Sequence, residues 1–146
     1  MGMRIGFGAP VAGAWATPGY LTAFARRAEE TGYASLWGFQ RLLVPEGSGM
    51  EPVYRSVLDP MVALGYAAAS TSRIRLGVAV INLPFVSPVV LAKQAATLDV
   101  LSGGRFDLGL GIGVAGRGVH RGRRVHGPAR RADRGIPGRA AHPMGR

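Results

Sequence analysis

Short apolar runs alternate with segments of helical periodicity over the first 113 residues of the chain. The apolar runs predict four strands. Each gap between them contains apolar residues three and four positions apart, which is typical of a helix that packs on one face. The predicted strands cover residues 3–8, 34–39, 73–82 and 105–113. The predicted order of elements is therefore βαβαβαβ.

The three predicted helices share one start signal, a polar cap residue followed by proline. Proline suits the first helical position because the N–H it lacks would be unpaired there anyway. The start signals are Thr17-Pro18, Asp59-Pro60 and Ser87-Pro88, and glycines at 32 and 103–104 are predicted stops. The predicted apolar faces are Leu21, Phe24, Ala25 and Ala28; Met61, Leu64, Ala67 and Ala68; and Leu91, Ala95, Leu98 and Leu101.

The predicted strands are apolar runs more than alternating ones, which indicates that both faces of the sheet are covered. Strands that alternate with helices predict a parallel sheet with right-handed crossovers. The fold class is therefore α/β, either an open doubly wound sheet or part of a (β/α)8 barrel. Residues 40–56 form a long irregular segment rich in Gly and Pro between the second strand and the second helix.

The chemistry of the chain changes near Gly113. Residues 1–113 carry a net charge of +2, whereas residues 114–146 carry +8 of the total +10. The second segment has nine Arg, all three His and no Leu, Phe, Tyr or Trp, so no packed element is predicted in it. We therefore divide the chain into a folded part, 1–113, and a disordered basic tail, 114–146.

Two interpretations of the basic tail stay open. The first is an arm that binds nucleic acid or another polyanion through its charge, although it lacks aromatic side chains for stacking. The second, which we favour, is a frameshift in GC-rich DNA. Another reading frame permits an acidic, aromatic loop followed by an amphipathic helix, and Met144-Gly145 fixes a Trp in that frame. The nucleotide sequence distinguishes the two.

Several other functions are excluded or disfavoured. The chain has no Cys, which excludes disulfides and thiolate metal sites, and its His spacing matches no zinc site, so we expect no bound metal. The segment Gly111–Gly116 fits G-x-G-x-x-G, but it follows the fourth strand and opens no helix. The apolar start is interrupted by glycines, and no run is long enough to span a membrane. A cytoplasmic location is the expectation.

The segment from Leu58 to Gly113 resembles the luciferase-like monooxygenase family, which includes bacterial luciferase and enzymes that use coenzyme F420. The resemblance is carried by "LDP" at the second helix start, "TSRIRLG" before the third strand, and "LAKQAATLDVLSGGR" before "LGLGIG". It extends over residues 3–113. It implies the amino-terminal half of a (β/α)8 TIM barrel with its cofactor at the carboxyl ends of the strands.

The resemblance also implies where the cofactor would lie. The second strand ends at Phe39 and Gln40, where many family members carry an acid followed by His, so no catalytic residue is assigned. Gln40 can still form a hydrogen bond with the edge of an isoalloxazine ring. The third strand is expected to bulge against the ring at Ala79, Val80 and Asn82. The fourth ends in glycines, of which Gly111 and Gly113 are the predicted contacts.

The expected function is that of an F420-dependent oxidoreductase or monooxygenase acting on a small-molecule substrate, with FMN as the alternative cofactor. We expect the chain to be a fragment with negligible turnover, because a complete barrel takes about 250 residues. The outer strands would be open apolar edges, which favours aggregation or a homodimer. The alternative function is a βα scaffold whose basic tail binds nucleic acid.

Overall fold

A computed structural model describes residues 2–112 of the chain; the predicted contact Gly113 and the basic segment 114–146 lie outside them. Four parallel strands alternate with three helices, as predicted. The elements are β1 (Gly6–Gly8), α1 (Pro18–Glu30), β2 (Ser35–Gly38), α2 (Pro60–Ala68), β3 (Arg75–Asn82), α3 (Pro88–Leu101) and β4 (Phe106–Gly111). Three 3-10 turns, Gly13–Trp15, Pro52–Arg55 and Leu83–Phe85, lie in the connections.

The sheet order distinguishes the two predicted architectures. The strands lie side by side in chain order, β1-β2-β3-β4, and every pair is parallel. Side chains from all three helices join one apolar cluster with Leu36, Leu76 and Val78. The helices therefore cover a single face of the sheet, which is the arrangement of a barrel wall. A doubly wound sheet has helices on both faces and a reversal of strand order.

All three helices begin at their predicted prolines. The Thr17 hydroxyl accepts a hydrogen bond from the Tyr20 N–H, and the Asp59 carboxylate accepts one from the Val62 N–H. The predicted cap at Ser87 is wrong in its detail. Its side chain makes no cap hydrogen bond, and only its backbone carbonyl accepts, from the Leu91 N–H at 2.9 Å.

The predicted apolar face of α3 is wrong at its last position. Leu91 and Leu98 are buried and Ala95 packs against the core, whereas Leu101 is 74% exposed. Leu101 is the last residue of the helix. The first strand is also shorter than predicted. Its pairing nevertheless extends one residue before β1, because the Ala34 N–H donates to the Ile5 carbonyl.

The carboxylate of Glu29, at the end of α1, binds the backbone directly before β3. Its oxygens accept hydrogen bonds from the backbone N–H groups of Ser72, Arg73 and Ile74, the last two at 2.6 and 2.8 Å. Burial alone would raise the pKa of the Glu29 carboxyl. The three backbone donors and the Ser72 hydroxyl outweigh it and lower the pKa from 4.5 to about 2.

Replacing Glu29 by Gln is expected to lower the free energy of unfolding by about 1–2 kcal/mol at pH 7, a figure discounted for solvent screening. The folded-state pKa lies below the unfolded one. The stabilisation is therefore complete above pH 4.5 and is lost as the pH falls towards 2. Urea titrations of both chains at pH 7 and pH 3 measure this difference.

Glu30→Gln is the matched control for Glu29→Gln. Glu30 is adjacent in sequence but forms only an exposed ion pair with Arg27, at 3.5 Å. Exposed pairs contribute about 0–1 kcal/mol, so this change should have little effect at either pH. Equal losses in the two variants would contradict the role assigned to Glu29.

Candidate functional site

The candidate site lies at the carboxyl ends of the four parallel strands, which meet at one edge of the sheet. Ligands of parallel α/β sheets and barrels bind at this edge because the loops that follow the strands converge there. The final strand residues are Gly8, Gly38, Asn82 and Gly111. Three of these four are glycines, so little side-chain bulk occupies the edge.

Gln40 links the ends of β2 and β3. Its Oε1 accepts a hydrogen bond of 2.9 Å from the backbone N–H of Asn82, 42 positions further along the chain. The structure thus brings together two predicted site residues, Gln40 and Asn82. It also assigns the amide oxygen of Gln40 a structural contact, which leaves the Nε2 group as the donor available for a ligand.

The irregularity expected in the third strand is present. Pairing between β3 and β4 runs from Leu76 to Val78, shifts, and resumes at Ile81. The displaced residues, Ala79 and Val80, are joined by a cis peptide bond. Both are exposed, and the Val80 side chain lies beside Gly109 and Gly111 of β4. A bulge of this kind redirects side chains next to functional sites.

The glycines of β4 have a different neighbour from the one expected. A Cβ atom at Gly109 would overlap the backbone carbonyl oxygen of Val78, and one at Gly111 would lie 2.7 Å from Cγ2 of Val80. The space beside both glycines is therefore taken by the β3 bulge. Their small size makes room for the bulge, and direct contact of Gly111 with a cofactor stays a prediction.

Phe39 belongs to an aromatic and cationic cluster that the sequence did not reveal. Its ring packs edge to face on Tyr54 with the ring centroids 6.1 Å apart, and the guanidinium carbon of Arg41 lies 5.3 Å from the Tyr54 centroid. Phe39 also packs against the core. Tyr54 lies in the long irregular segment, where no periodicity indicates which residues meet the strand ends.

No local sequence pattern indicates the ion pair between β3 and β4. Arg75 of β3 donates to both carboxylate oxygens of Asp107 in the neighbouring strand β4. The hydrogen bond from Arg75 lowers the pKa of Asp107, and the same bond raises the pKa of Arg75. The pair lies near the amino ends of β3 and β4, so it joins these strands at the opposite end of the sheet from the candidate site.

The described residues contain neither a metal-binding cluster nor a membrane-spanning helix. Among residues 2–112, no three His, Asp or Glu side chains are grouped closely enough to hold a metal ion. Within the same residues, no helix has the length and apolar character needed to cross a bilayer. All three His of the chain lie outside this range.

Comparison with known proteins agrees with the fold. Residues 3–133 match the family model described as luciferase-like monooxygenase. A luciferase-like monooxygenase of Escherichia coli is 39% identical over 87 residues, which are 60% of this chain and 24% of that protein. The chain spans less than half the length of the curated relatives it matches.

Solved structures share this arrangement of strands and helices. The coenzyme F420-dependent tetrahydromethanopterin reductase of Methanopyrus kandleri has a TM-score of 0.59 at 28% identity, covering 76% of this chain and 27% of that one. The oxygenating constituent of 3,6-diketocamphane monooxygenase from Pseudomonas putida, in complex with FMN, has a TM-score of 0.66 at 21% identity, covering 83% and 32%. The chain belongs to the luciferase-like monooxygenase family.

Proposed function

We propose that residues 2–112 form the amino-terminal wall of the cofactor site of an oxidoreductase that uses coenzyme F420, with FMN as the alternative. The observation that carries the proposal is the β3 bulge. It leaves Ala79 and Val80 exposed, directly before the end of β3 where the Gln40 amide is bonded to Asn82. Relatives named for F420 and for FMN support both cofactors. The preference for F420 rests on the family resemblance.

The residues present fit a flat tricyclic ring. Ala79 and Val80 offer an apolar surface with no charged atom, and the Nε2 group of Gln40 can donate to a ring oxygen or nitrogen. Such a cofactor supplies the hydride transfer or oxygen activation when bound, while the protein supplies position and electrostatics. The end of β2 offers neither a carboxylate nor an imidazole, so proton transfer would need another group.

We also propose that this wall alone binds cofactor weakly and turns over negligibly. In (β/α)8 barrels the phosphate of a ligand frequently binds at the loops after strands 7 and 8, and the described residues contain only the first four strands. The outer strands β1 and β4 each have one unpaired edge within the described sheet, and a homodimer through these edges is part of the same proposal.

Titration of the 15N-labelled full chain with F420 and with FMN tests the proposed site even when binding is weak. We expect the largest shifts at the amides of Gln40, Ala79, Val80 and Asn82. Val80→Asp places a charge against the ring and should weaken binding at least tenfold. F420 should shift these signals at lower concentration than FMN.

Val62→Asp is the control for Val80→Asp, since Val62 is a 72% exposed valine on α2. It should leave the titration unchanged. Shifts confined to other parts of the chain, or equal affinities of the two variants, would argue against a site at the bulge. Micromolar affinity together with measurable turnover would overturn the proposal that the wall alone is inactive.

A further inference from the structure

The connection from β2 to α2 lines an open cavity of about 640 Å³ that the cofactor proposal does not use. The first lining residue along the chain is Arg41, which directly follows Phe39 and Gln40 of the candidate site. Its lining is formed by residues 41–50, 54, 55 and 57. We call it the loop cavity. Most of its lining belongs to the irregular segment 40–56, in which sequence periodicity predicts no helix or strand.

Arg41 is the distinctive group of the loop cavity. Its Nε is buried and has no hydrogen-bond partner among the described residues. Its guanidinium lies over the Tyr54 ring, 5.3 Å from the centroid, a cation–π distance that holds the group in place. The buried Nε does not face the cavity. The two terminal nitrogens of Arg41 donate to no described residue, so they can give two parallel charge-assisted hydrogen bonds to a ligand carboxylate.

The remaining lining defines what kind of molecule fits. Arg55 adds a second cation and Glu46 is the single anion, so the lining has a net positive charge. The other large side chains are apolar, namely Leu42, Leu43, Val44, Pro45, Met50 and Val57. A planar guanidinium matches the two oxygens of a carboxylate, and the apolar side chains of the lining can contact a short hydrocarbon body.

We propose that the loop cavity binds a small carboxylic acid with an apolar body, and that Arg41 binds its carboxylate. This inference rests on the proposed function, because it makes that acid the substrate of the oxidoreductase. Gln40 and Arg41 are adjacent in the chain, and Gln40 touches the end of β3. An acid anchored on Arg41 therefore lies beside the strand ends where the ring is proposed to bind.

The test uses hexanoate as the probe, hexanamide as its neutral counterpart, and inorganic phosphate as an anion without an apolar body. Each is added to the 15N-labelled full chain without cofactor. Hexanoate is expected to shift the amides of residues 41–50 and of Tyr54, and to bind at least tenfold more tightly than either comparator. Equal affinity for hexanoate and hexanamide would overturn the proposal, and tighter binding of phosphate would overturn its choice of a carboxylate.

Arg41→Met should weaken hexanoate binding at least tenfold, to the level of hexanamide. Arg27→Met, which changes an exposed arginine of α1, is the matched control and should bind like the parent chain. Unchanged binding by Arg41→Met would overturn the role of Arg41. If Arg41→Met does not give the amide spectrum of the folded chain, Glu46→Gln is the variant that tests the proposal. It removes the one anion of the lining and should tighten hexanoate binding about twofold; unchanged or weaker binding refutes the proposal.

The two proposals fail separately. The hexanoate titration contains no cofactor and is read from the amides of residues 41–50, whereas the cofactor titration is read from those of residues 79–82. Hexanoate binding without any F420 or FMN response at the bulge would leave the loop cavity as an acid-binding site and refute the oxidoreductase. The opposite result would retain the cofactor wall and remove the acid as its substrate.

Discussion

Replacing Gly109 by alanine is expected to lower the free energy of unfolding of the chain by about 3 kcal/mol, the upper part of the range for overpacking. A Cβ atom at this position would overlap the carbonyl oxygen of Val78 in the neighbouring strand. That oxygen belongs to the backbone of β3, so it cannot rotate away as a side chain would. Either the bulge must move or β4 must separate from β3.

Alanine at two further glycines is expected to have smaller effects on stability. A Cβ at Gly111 would meet only the methyl group Cγ2 of Val80, which a change of rotamer can displace, so Gly111→Ala should cost about 1 kcal/mol. A Cβ at Gly8 meets nothing within 4 Å, and Gly8→Ala should be neutral or stabilising by about 0.5 kcal/mol. Urea unfolding followed by circular dichroism measures all three.

The graded series also tests the link between the bulge and the candidate site. Gly109→Ala should shift the amide signals of Ala79 and Val80 in the folded chain, and it should weaken the response to F420 and FMN. A Gly109→Ala chain as stable as Gly8→Ala would show that the backbone of β3 does not approach β4 as described. The role assigned to the glycines would then be wrong.

The elements of the fold were predictable because their signals are local. Thr17-Pro18 and Asp59-Pro60 each place a cap acceptor and a proline within two positions, and both helices begin there. The choice between an open sheet and a barrel wall was not local. It depends on which face each crossover helix covers, and apolar strands such as β3 favour burial on both faces without saying by what.

The candidate site was predictable only where the family resemblance reached it. The resemblance placed a bulge at Ala79 and Val80, and the register shift is present there. Periodicity could not reveal that Gln40 bonds to Asn82, because the two residues are 42 positions apart. Tyr54 and Arg41 meet across an irregular loop for the same reason. No local pattern distinguishes Gly109, because its constraint comes from the adjacent strand.

Arg105 shows how a motif residue can be noticed without its role being apparent. It ends the "SGGR" segment that carried part of the family resemblance. In the structure its guanidinium donates to four backbone carbonyls and one hydroxyl, which belong to the last residue of α2, the connection from α2 to β3 and the residue after α3. The acceptors are the carbonyls of Ala68, Thr71, Ile74 and Ser102 and the Thr71 hydroxyl.

Replacing Arg105 by methionine is expected to lower the free energy of unfolding by about 3 kcal/mol. The change keeps the apolar stem but removes every donor, and each carbonyl left without a partner costs about 1–3 kcal/mol where water cannot reach it. Arg105 is half-buried, so water can replace some of these hydrogen bonds. The total loss of stability is therefore well below five times the cost of one unsatisfied buried acceptor. Arg105→Lys should recover about half of the loss, since one ammonium cannot reach all the acceptors.

Arg26→Met is the matched control for Arg105→Met. Arg26 is an exposed arginine of α1 that makes one long hydrogen bond, 3.4 Å from its Nε to the Ser70 carbonyl, in the same region. Its loss should cost under about 0.5 kcal/mol. If Arg105→Met unfolds no more easily than Arg26→Met, water satisfies the carbonyls as well as the guanidinium does. The junction of α2, β3 and α3 would then be held by its apolar contacts, through Ile74 and Leu98, and not by Arg105.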